Sequence, residues 1–311
     1  MLSRRLIRVK VMQILYALNR QGNTDLQEAE KLMVHSVGKS QDLYNLILQL
    51  PVALRHLAAK RIEIGKTKLR PTAADLNPNM RFAQNRLILQ IEENEELNKA
   101  IETTGNTWAA DESLIKTIYS KMTHSDLYER YMNSDEDSFE ADRGFVIKFL
   151  CKELPKMSFF FQAIELKNVY WNDESEFMIS MAAKTLKEFD GQNGADVKLM
   201  PLYKDDDDVQ FTRNLLRHSI TELPNTLELI KKFSKNWDAD RVALMDILLI
   251  DMAIAEMTTM VNIPIKVTLN EYIEISKFYS TDKSNIYING ILEKIVRQLV
   301  EDKRISEAQL F

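Results

Sequence analysis

The feature that most constrains the fold is an apolar stretch at residues 242–257, interrupted only by Asp246, Asp251 and Glu256. A helix that is apolar on every side is normally buried at the centre of a bundle. Successive acids in this stretch are rotated by about 140° around a helix, so they do not share one face. The stretch predicts a buried helix at the core of the C-terminal half and argues against a catalytic pair of carboxylates within it.

Helical periodicity continues along most of the chain. Ile7, Val11 and Ile14 fall on one face of a helix. Comparable amphipathic stripes occur at 41–64, 80–102, 111–132, 143–152, 174–189, 208–218, 225–235, 240–260, 265–279 and 284–301. Only eight glycines occur in 311 residues and period-2 alternation is scarce, so strands have little support. We therefore predict an all-α fold.

Acidic residues and prolines predict where some helices begin or break. The run from Asp205 to Asp208 favours the positive end of a helix dipole and predicts a helix start. Pro51 is expected to split the 41–64 stretch, and Pro224 falls between two stripes.

Composition limits the class of protein. With 45% hydrophobic and 28% charged residues the chain is typical of globular proteins, and its net charge of −5 says little about nucleic acid. The single Cys151 excludes an internal disulfide and a cysteine zinc cluster. No apolar run approaches the roughly 20 residues that span a bilayer, and no signal peptide is recognisable. We expect a cytoplasmic protein without a membrane segment.

Enzyme motifs are missing from the sequence. Gly38-Lys39-Ser40 is similar to the end of a phosphate-binding loop, but Met33 stands where its first glycine is required. The patterns GxGxxG, HExxH and GxSxG do not occur. The histidines are far apart in sequence, at His35, His56, His124 and His218. We expect no catalytic site, metal site or cofactor.

The strongest local signal is positive charge at the N-terminus. Arg4, Arg5 and Arg8 precede the first acidic residue, and on a helix Arg4 and Arg8 are one turn apart. Guanidinium groups bind phosphate with paired donors, so the cluster is a candidate RNA-binding surface. The alternative is a solubilising helix face.

A second candidate lies near the C-terminus. Residues 280–282 have the composition of a helix cap, which places Lys283 and Ser284 in the first turn of a helix. Free backbone N–H groups, a hydroxyl and a lysine make a plausible phosphate site, and Tyr287 offers a ring for stacking on an unpaired base. The alternative is an ordinary capped helix with a tyrosine.

Together these segments resemble the NusB family. Arg4-Arg5-Leu6-Ile7-Arg8 and Gln13-Ile14-Leu15-Tyr16 are similar to the arginine-rich first helix of that family. The more specific similarity is C-terminal, in Asn236-Trp237, Asp240-Arg241-Val242, Asp246, Ile263-Pro264-Ile265-Lys266-Val267, Asn270-Glu271, Glu274-Ile275-Ser276-Lys277 and Tyr287-Ile288-Asn289-Gly290-Ile291-Leu292. The similarity covers residues 1–35 moderately and 204–296 well.

The resemblance implies an RNA-binding factor of transcription antitermination. Family members bind a short single-stranded RNA element, boxA, together with NusE, a small-subunit ribosomal protein, and join an antitermination complex on RNA polymerase. Carried over by residue, the positions that would contact RNA are Arg4, Arg5, Arg8, Tyr16, Ser284 and Tyr287. Lys283 stands where an RNA-contacting aspartate is common, which predicts an altered base preference. Asp246 would help to hold NusE.

The resemblance also predicts the organisation of the chain. We expect N-terminal helices at 1–66, an inserted helical region at 67–203 and a C-terminal helical core at 204–311, which is a NusB-like bundle enlarged by an insertion. Gly191 and Gly194 mark a loop near the end of the insertion. One alternative is a helical adaptor that has lost RNA binding. The other is a relic of an RNA cytosine methyltransferase domain, which the missing dinucleotide fold and the missing Pro-Cys pair disfavour.

Overall fold

The computed structural model describes residues 2–192, 196–234 and 242–310. Within these ranges the chain forms helices and no strand, which confirms the all-α prediction. No described helix is long and apolar enough to cross a membrane. Several residues of the sequence interpretation lie outside the described ones, namely Gly194, Asn236, Trp237, Asp240 and Arg241.

The chain divides into two compact units. Unit 1 consists of Met1–Val37 and Tyr203–Phe311, and unit 2 of Gly38–Leu202. The first boundary therefore falls at residue 37, and residues 38–66 of the expected N-terminal segment belong to unit 2.

Helices account for most of each unit. In chain order the α-helices of the described residues are α1 (Arg4–Gln21), α2 (Leu26–Lys66), α3 (Ala73–Leu76), α4 (Arg86–Glu93), α5 (Glu95–Thr104), α6 (Glu112–Thr123), α7 (Asp126–Met132), α8 (Phe139–Lys148), α9 (Ser158–Lys167), α10 (Ser175–Glu188), α11 (Asp206–Phe233), α12 (Leu244–Thr259), α13 (Ile265–Tyr279) and α14 (Ser284–Glu301). Short helical turns occur at Ala109–Asp111, Phe149–Glu153, Leu154–Lys156, Val169–Trp171 and Glu307–Leu310. Unit 1 contains α1, the start of α2 and α11 to α14.

Helix α12 is the core of unit 1, as its composition predicts. It packs against α1, α11, α13 and α14, and its residues 248–257 are all buried. The three acids of this helix are buried too, and each has different partners, as their rotation around the helix requires. Asp246 accepts from a serine at the end of α13 and from another at the start of α14. Asp251 accepts from Thr226 of α11, and Glu256 accepts from Arg8 of α1.

Two expected helix breaks do not occur. Pro51 lies inside the continuous helix α2, and Pro224 lies inside α11, so the prediction that Pro51 splits its stretch is wrong. A proline inside a helix costs about 3 kcal/mol because it removes a backbone hydrogen bond and crowds the preceding turn. Buried Leu50 and Leu54 flank Pro51, so packing of the neighbouring turns offsets that cost. The acidic helix start is confirmed, since Asp205 accepts from the backbone N–H of Asp208 at 3.1 Å.

The core of unit 2 includes an aromatic cluster formed by α7, α8 and the turn before α4. Phe82 meets Tyr128 and Phe145 edge-on, with ring centroids 5.7 and 5.8 Å apart. Such edge-to-face pairs contribute about 0.5–1.5 kcal/mol beyond the burial of their area. The cluster therefore joins the segment before α4 to α7 and α8.

We expect Asp251→Asn to stabilise the protein, and increasingly so as pH rises. Asp251 is 0% exposed, it accepts one hydrogen bond of 2.6 Å from Thr226, and its Oδ2 has no partner among the described residues. Burial raises its pKa well above the usual value, more than the hydrogen bond from Thr226 lowers it. A carboxyl with a raised pKa takes up a proton on folding, so the free energy of unfolding falls as pH rises above the unfolded-state pKa.

Urea denaturation of both proteins at pH 5 and pH 8 measures this effect. Asparagine keeps the acceptor for Thr226 and does not ionise, so its advantage should reach about 1–3 kcal/mol at pH 8 and be smaller at pH 5. An advantage that is equal at both pH values would contradict the assignment.

Candidate nucleic-acid interface

The first candidate surface is the N-terminal end of α1. Ser3 caps the helix by accepting from the backbone N–H of Leu6 at 3.2 Å, and no acid occupies the first turn. The apolar stripe is buried, with Ile7 and Val11 both 0% exposed. Burial of that stripe against the bundle fixes which side chains of α1 remain available to a ligand.

Arg4 and Arg5 lie at the surface, each in an ion pair with an acid of unit 1. The side chain of Arg4 is 42% exposed and its Nε donates to Asp208 at 3.0 Å. The side chain of Arg5 is 56% exposed and donates twice to Glu271, at 2.7 and 2.8 Å. The hydrogen bond to Glu271 raises the pKa of Arg5, and the same bond lowers the pKa of Glu271.

Arg8 occupies the core instead of the surface expected for it. The residue is 3% exposed, and its guanidinium donates to both oxygens of Glu256 at 2.6 and 2.7 Å. Thr268 and Tyr272 each donate to Glu256 at 2.9 Å. Burial opposes the charge of Arg8, but the hydrogen bonds and charge of Glu256 outweigh it and raise the pKa of Arg8. A buried guanidinium with a paired carboxylate is structural, so direct RNA contact by Arg8 has no support in this geometry.

The spacing of Arg4 and Arg8 does place them on one face, and that face points toward α11. Their guanidinium carbons lie 5.2 and 5.1 Å from the ring centroid of Phe211. Cations at this distance from a ring face are attracted by its quadrupole. The exposed Arg4 and the buried Arg8 therefore contact the same aromatic residue of α11.

Tyr16 extends the exposed surface along α1. The residue is 40% exposed, so it remains accessible on a helix whose apolar stripe is buried. It lies eight positions after Arg8, which corresponds to about 12 Å along the helix axis. Tyr16 is therefore separated from the two exposed arginines by more than two helical turns.

The second candidate surface is the start of α14. Ser284 is the first residue of the helix, is 2% exposed, and donates to Asp246 at 2.9 Å. Ser280 donates to the other oxygen of Asp246 at 2.5 Å. Asp246 is 6% exposed, so these bonds make it the anchor of the turn before α14.

Lys283 and Tyr287 border a small cleft at this turn. The cleft measures about 110 Å³ and is also lined by Val242, Asp246 and Ser284. Lys283 is exposed, whereas Tyr287 is half-buried with its hydroxyl 3.0 Å from the Ser234 hydroxyl. Burial raises the pKa of Tyr287, and the hydrogen bond with Ser234 partly offsets it. The structure thus brings together four of the expected site residues here.

Acidic residues toward opposite ends of α12 support the two surfaces. Glu256 holds Arg8 near the first surface, and Asp246 holds Ser284 at the second. Ten residues separate these acids, which corresponds to about 15 Å along the helix. The pairing of Glu256 with Arg8 is not evident from the sequence; the available signal is that an acid in a helix expected to be buried needs a cation or hydrogen-bond donors.

Among the described residues, no group of three or more histidine, cysteine, aspartate or glutamate side chains could hold a metal ion. The arrangement therefore offers arginine, lysine and tyrosine side chains to a ligand, and these suit phosphate and unpaired bases.

Comparison with known proteins assigns the chain to a family. The NusB family model matches residues 178–297. Three curated relatives are each called transcription antitermination protein NusB, from Natranaerobius thermophilus, Salinibacter ruber and Dictyoglomus turgidum. They are 38%, 32% and 45% identical to the chain over 29%, 35% and 26% of its length. No solved structure matches the chain.

The aligned region spans 65%, 68% and 56% of these three relatives in the same order, so it is less than two thirds of the first and the third. The Salinibacter protein combines 32% identity with coverage of 68% of its length. Together with the family model, this shows that the chain belongs to the NusB family of transcription antitermination proteins.

Proposed function

We propose that this protein binds a boxA-type single-stranded RNA together with NusE and joins the antitermination complex of RNA polymerase in the cytoplasm, without catalysing a reaction. The observation that carries the proposal is the pair of exposed arginines, Arg4 and Arg5, on the first helix of a NusB-family chain. Exposed guanidinium groups exchange a carboxylate for a phosphate at small cost, because surface ion pairs are worth only about 0–1 kcal/mol.

The second surface completes the proposed RNA site. Lys283 supplies a cation and Tyr287 a half-buried aromatic side chain beside the 110 Å³ cleft. An extended strand of a few nucleotides is long enough to span the distance of about 15 Å along α12 between Asp246 and Glu256, the acids that support the two surfaces. Ser284 supports this surface through its bond to Asp246 and adds little direct contact, because it is 2% exposed. Tyr16 provides a further ring along α1.

We expect Arg4→Ala/Arg5→Ala to weaken boxA-type RNA binding and to flatten its salt dependence. Each phosphate contact on a single strand contributes a slope of about 0.7 in log K against log salt, so losing two should lower the slope by about 1.4. Fluorescence anisotropy at several salt concentrations, with and without NusE, measures both quantities.

The matched control is Arg213→Ala/Arg217→Ala, which removes two exposed arginines from α11 of the same unit. Equal slopes for the two double variants would remove α1 from the proposed site. A folded wild-type protein that binds no RNA with or without NusE would favour the adaptor function.

We expect Arg8→Met to lower the stability of the fold rather than to remove a direct contact with RNA. The substitution leaves Glu256 buried and without its cation, which should lower the free energy of unfolding by about 3–5 kcal/mol. Arg5→Met removes an exposed ion pair and should change it by less than about 1 kcal/mol. Urea denaturation compares the two variants. A stable Arg8→Met protein with impaired RNA binding would instead indicate that Arg8 contacts RNA directly.

Asp246→Asn tests the proposed role of this acid in holding NusE. The variant keeps an acceptor for one serine and removes the negative charge, so we expect about tenfold weaker NusE binding and a loss of about 1–2 kcal/mol of folding stability. Calorimetric titration with NusE is compared with Asp302→Asn, which neutralises an exposed acid at the end of α14. Unchanged affinity for NusE in a folded Asp246→Asn protein would indicate that Asp246 only anchors the turn before α14.

A further inference from the structure

Unit 2 contains a cleft of about 440 Å³ whose charged lining is mainly basic. The cleft is bordered by α7, α8 and the π-helical turn Phe149–Glu153. Four cations line it, Arg81, Arg130, Lys148 and Lys152. Its volume falls within the range of about 300–1,000 Å³ that is typical of small-ligand pockets.

The cations of the cleft are not neutralised by its acids. The guanidinium of Arg81 donates to the backbone carbonyls of Ser134 and Glu136. Within the described part of the chain, no carboxylate lies within ion-pair distance of Arg130, Lys148 or Lys152. Four positive charges therefore face the cleft without a carboxylate partner.

Two acids also line the cleft, and both are engaged. Glu153 pairs with Lys156 at 2.9 Å, and Glu136 accepts a hydrogen bond of 2.8 Å from Ser138. Since Lys156 cancels the charge of Glu153, the balance at the cleft is positive. Positive charge on the wall of a concave, low-dielectric surface attracts anions more strongly than the same charge on a flat surface.

In the neighbouring acidic run, Asp135 and Glu140 do not line the cleft, and two further acids are paired with a cation. Asp137 pairs with Arg86 at 2.6 Å, and the same arginine pairs with Asp142 at 2.7 Å. Asp142 is buried and also accepts from the hydroxyl of Tyr131 at 2.7 Å. These two carboxylates are therefore occupied by donors of their own.

The walls of the cleft are held in place by the fold. Tyr131 and Phe145 stack with ring centroids 4.2 Å apart, and the Arg81 guanidinium lies 4.7 Å from the Tyr131 ring. Lys148 ends α8 and Lys152 lies in the π-helical turn that follows it. Such turns occur frequently at functional sites because they change the direction of side chains along a helix.

We propose that this cleft binds a phosphate group, carried either by a small free anion or by the backbone of an RNA strand. Arginine and lysine are the side chains that proteins use for phosphate, by paired hydrogen bonds and by charge. The proposal goes beyond the RNA site of unit 1 and does not depend on it.

Two probes distinguish the sources of the phosphate. Pyrophosphate is titrated by calorimetry, and a labelled 12-nucleotide oligouridylate is titrated by fluorescence anisotropy. Both use the full chain carrying Arg4→Ala/Arg5→Ala, so that the proposed site on α1 does not mask the result. The test variant adds Lys148→Gln/Lys152→Gln. The control adds Lys116→Gln/Lys121→Gln, which neutralises two exposed lysines of α6 outside the cleft.

We expect at least one probe to bind, the test variant to weaken it tenfold or more, and the control to change it less than twofold. Pyrophosphate binding would assign the site to a free anion, whereas binding of oligouridylate alone would assign it to a strand. The proposal is overturned if neither probe binds, or if the test variant and the control bind equally. Thermal unfolding of both variants confirms that each is folded.

Discussion

The buried ion pair between Arg8 and Glu256 is the interaction on which the arrangement of unit 1 depends. Two charges removed from water each carry a desolvation penalty of several kcal/mol, which only good geometry and further hydrogen bonds offset. Here the guanidinium meets both carboxylate oxygens, and Thr268 and Tyr272 complete the shell. Because these donors come from α1 and α13 and the acceptor from α12, one network fixes three helices in one register.

This network also determines which arginine side chains of α1 are exposed to solvent. Of the three arginines in the first two turns of α1, one is buried and two are exposed. Arg8 is buried because it pairs with Glu256, whereas Arg5 pairs with Glu271 at the surface. Glu271 lies 3.6 Å from Arg8 as well, so a carboxylate is shared between the core and the surface. A ligand that displaced Arg5 from Glu271 would leave that carboxylate to the inner arginine. The exposed ion pair of Arg5 and the buried ion pair of Arg8 are therefore physically linked through Glu271.

Much of this could be predicted from the sequence, because hydrophobic pattern determines helices directly. The all-round apolar stretch predicted the buried α12, and the rotation of its acids predicted that they do not share one face. The sequence could not predict that Arg8 and Lys10 are buried, since charged residues are normally exposed and their partners are distant in sequence. Lys10 donates to the backbone and the hydroxyl of Ser36 at 3.1 Å, a contact that only the packed structure reveals.

The predictions of helix breaks at Pro51 and Pro224 were wrong because they, too, considered only local sequence. Local propensity disfavours proline inside a helix, but tertiary packing of the turns on both sides overrides it. The cleft of unit 2 was also beyond sequence reasoning. Its cations come from separate helices and from the segment before α4, and nothing in their spacing indicates that they line one cavity.

The discontinuity of unit 1 has a consequence for biosynthesis. Its two segments, Met1–Val37 and Tyr203–Phe311, enclose a continuous unit 2 in the sequence. Arg8 and Glu256 are 248 positions apart, so at about 5–20 residues per second the ribosome makes the carboxylate about 12–50 s after the guanidinium. During that interval α1 has an apolar stripe and no α12 to bury it against. The first helix of the nascent chain therefore remains without its buried ion-pair partner until α12 has been translated.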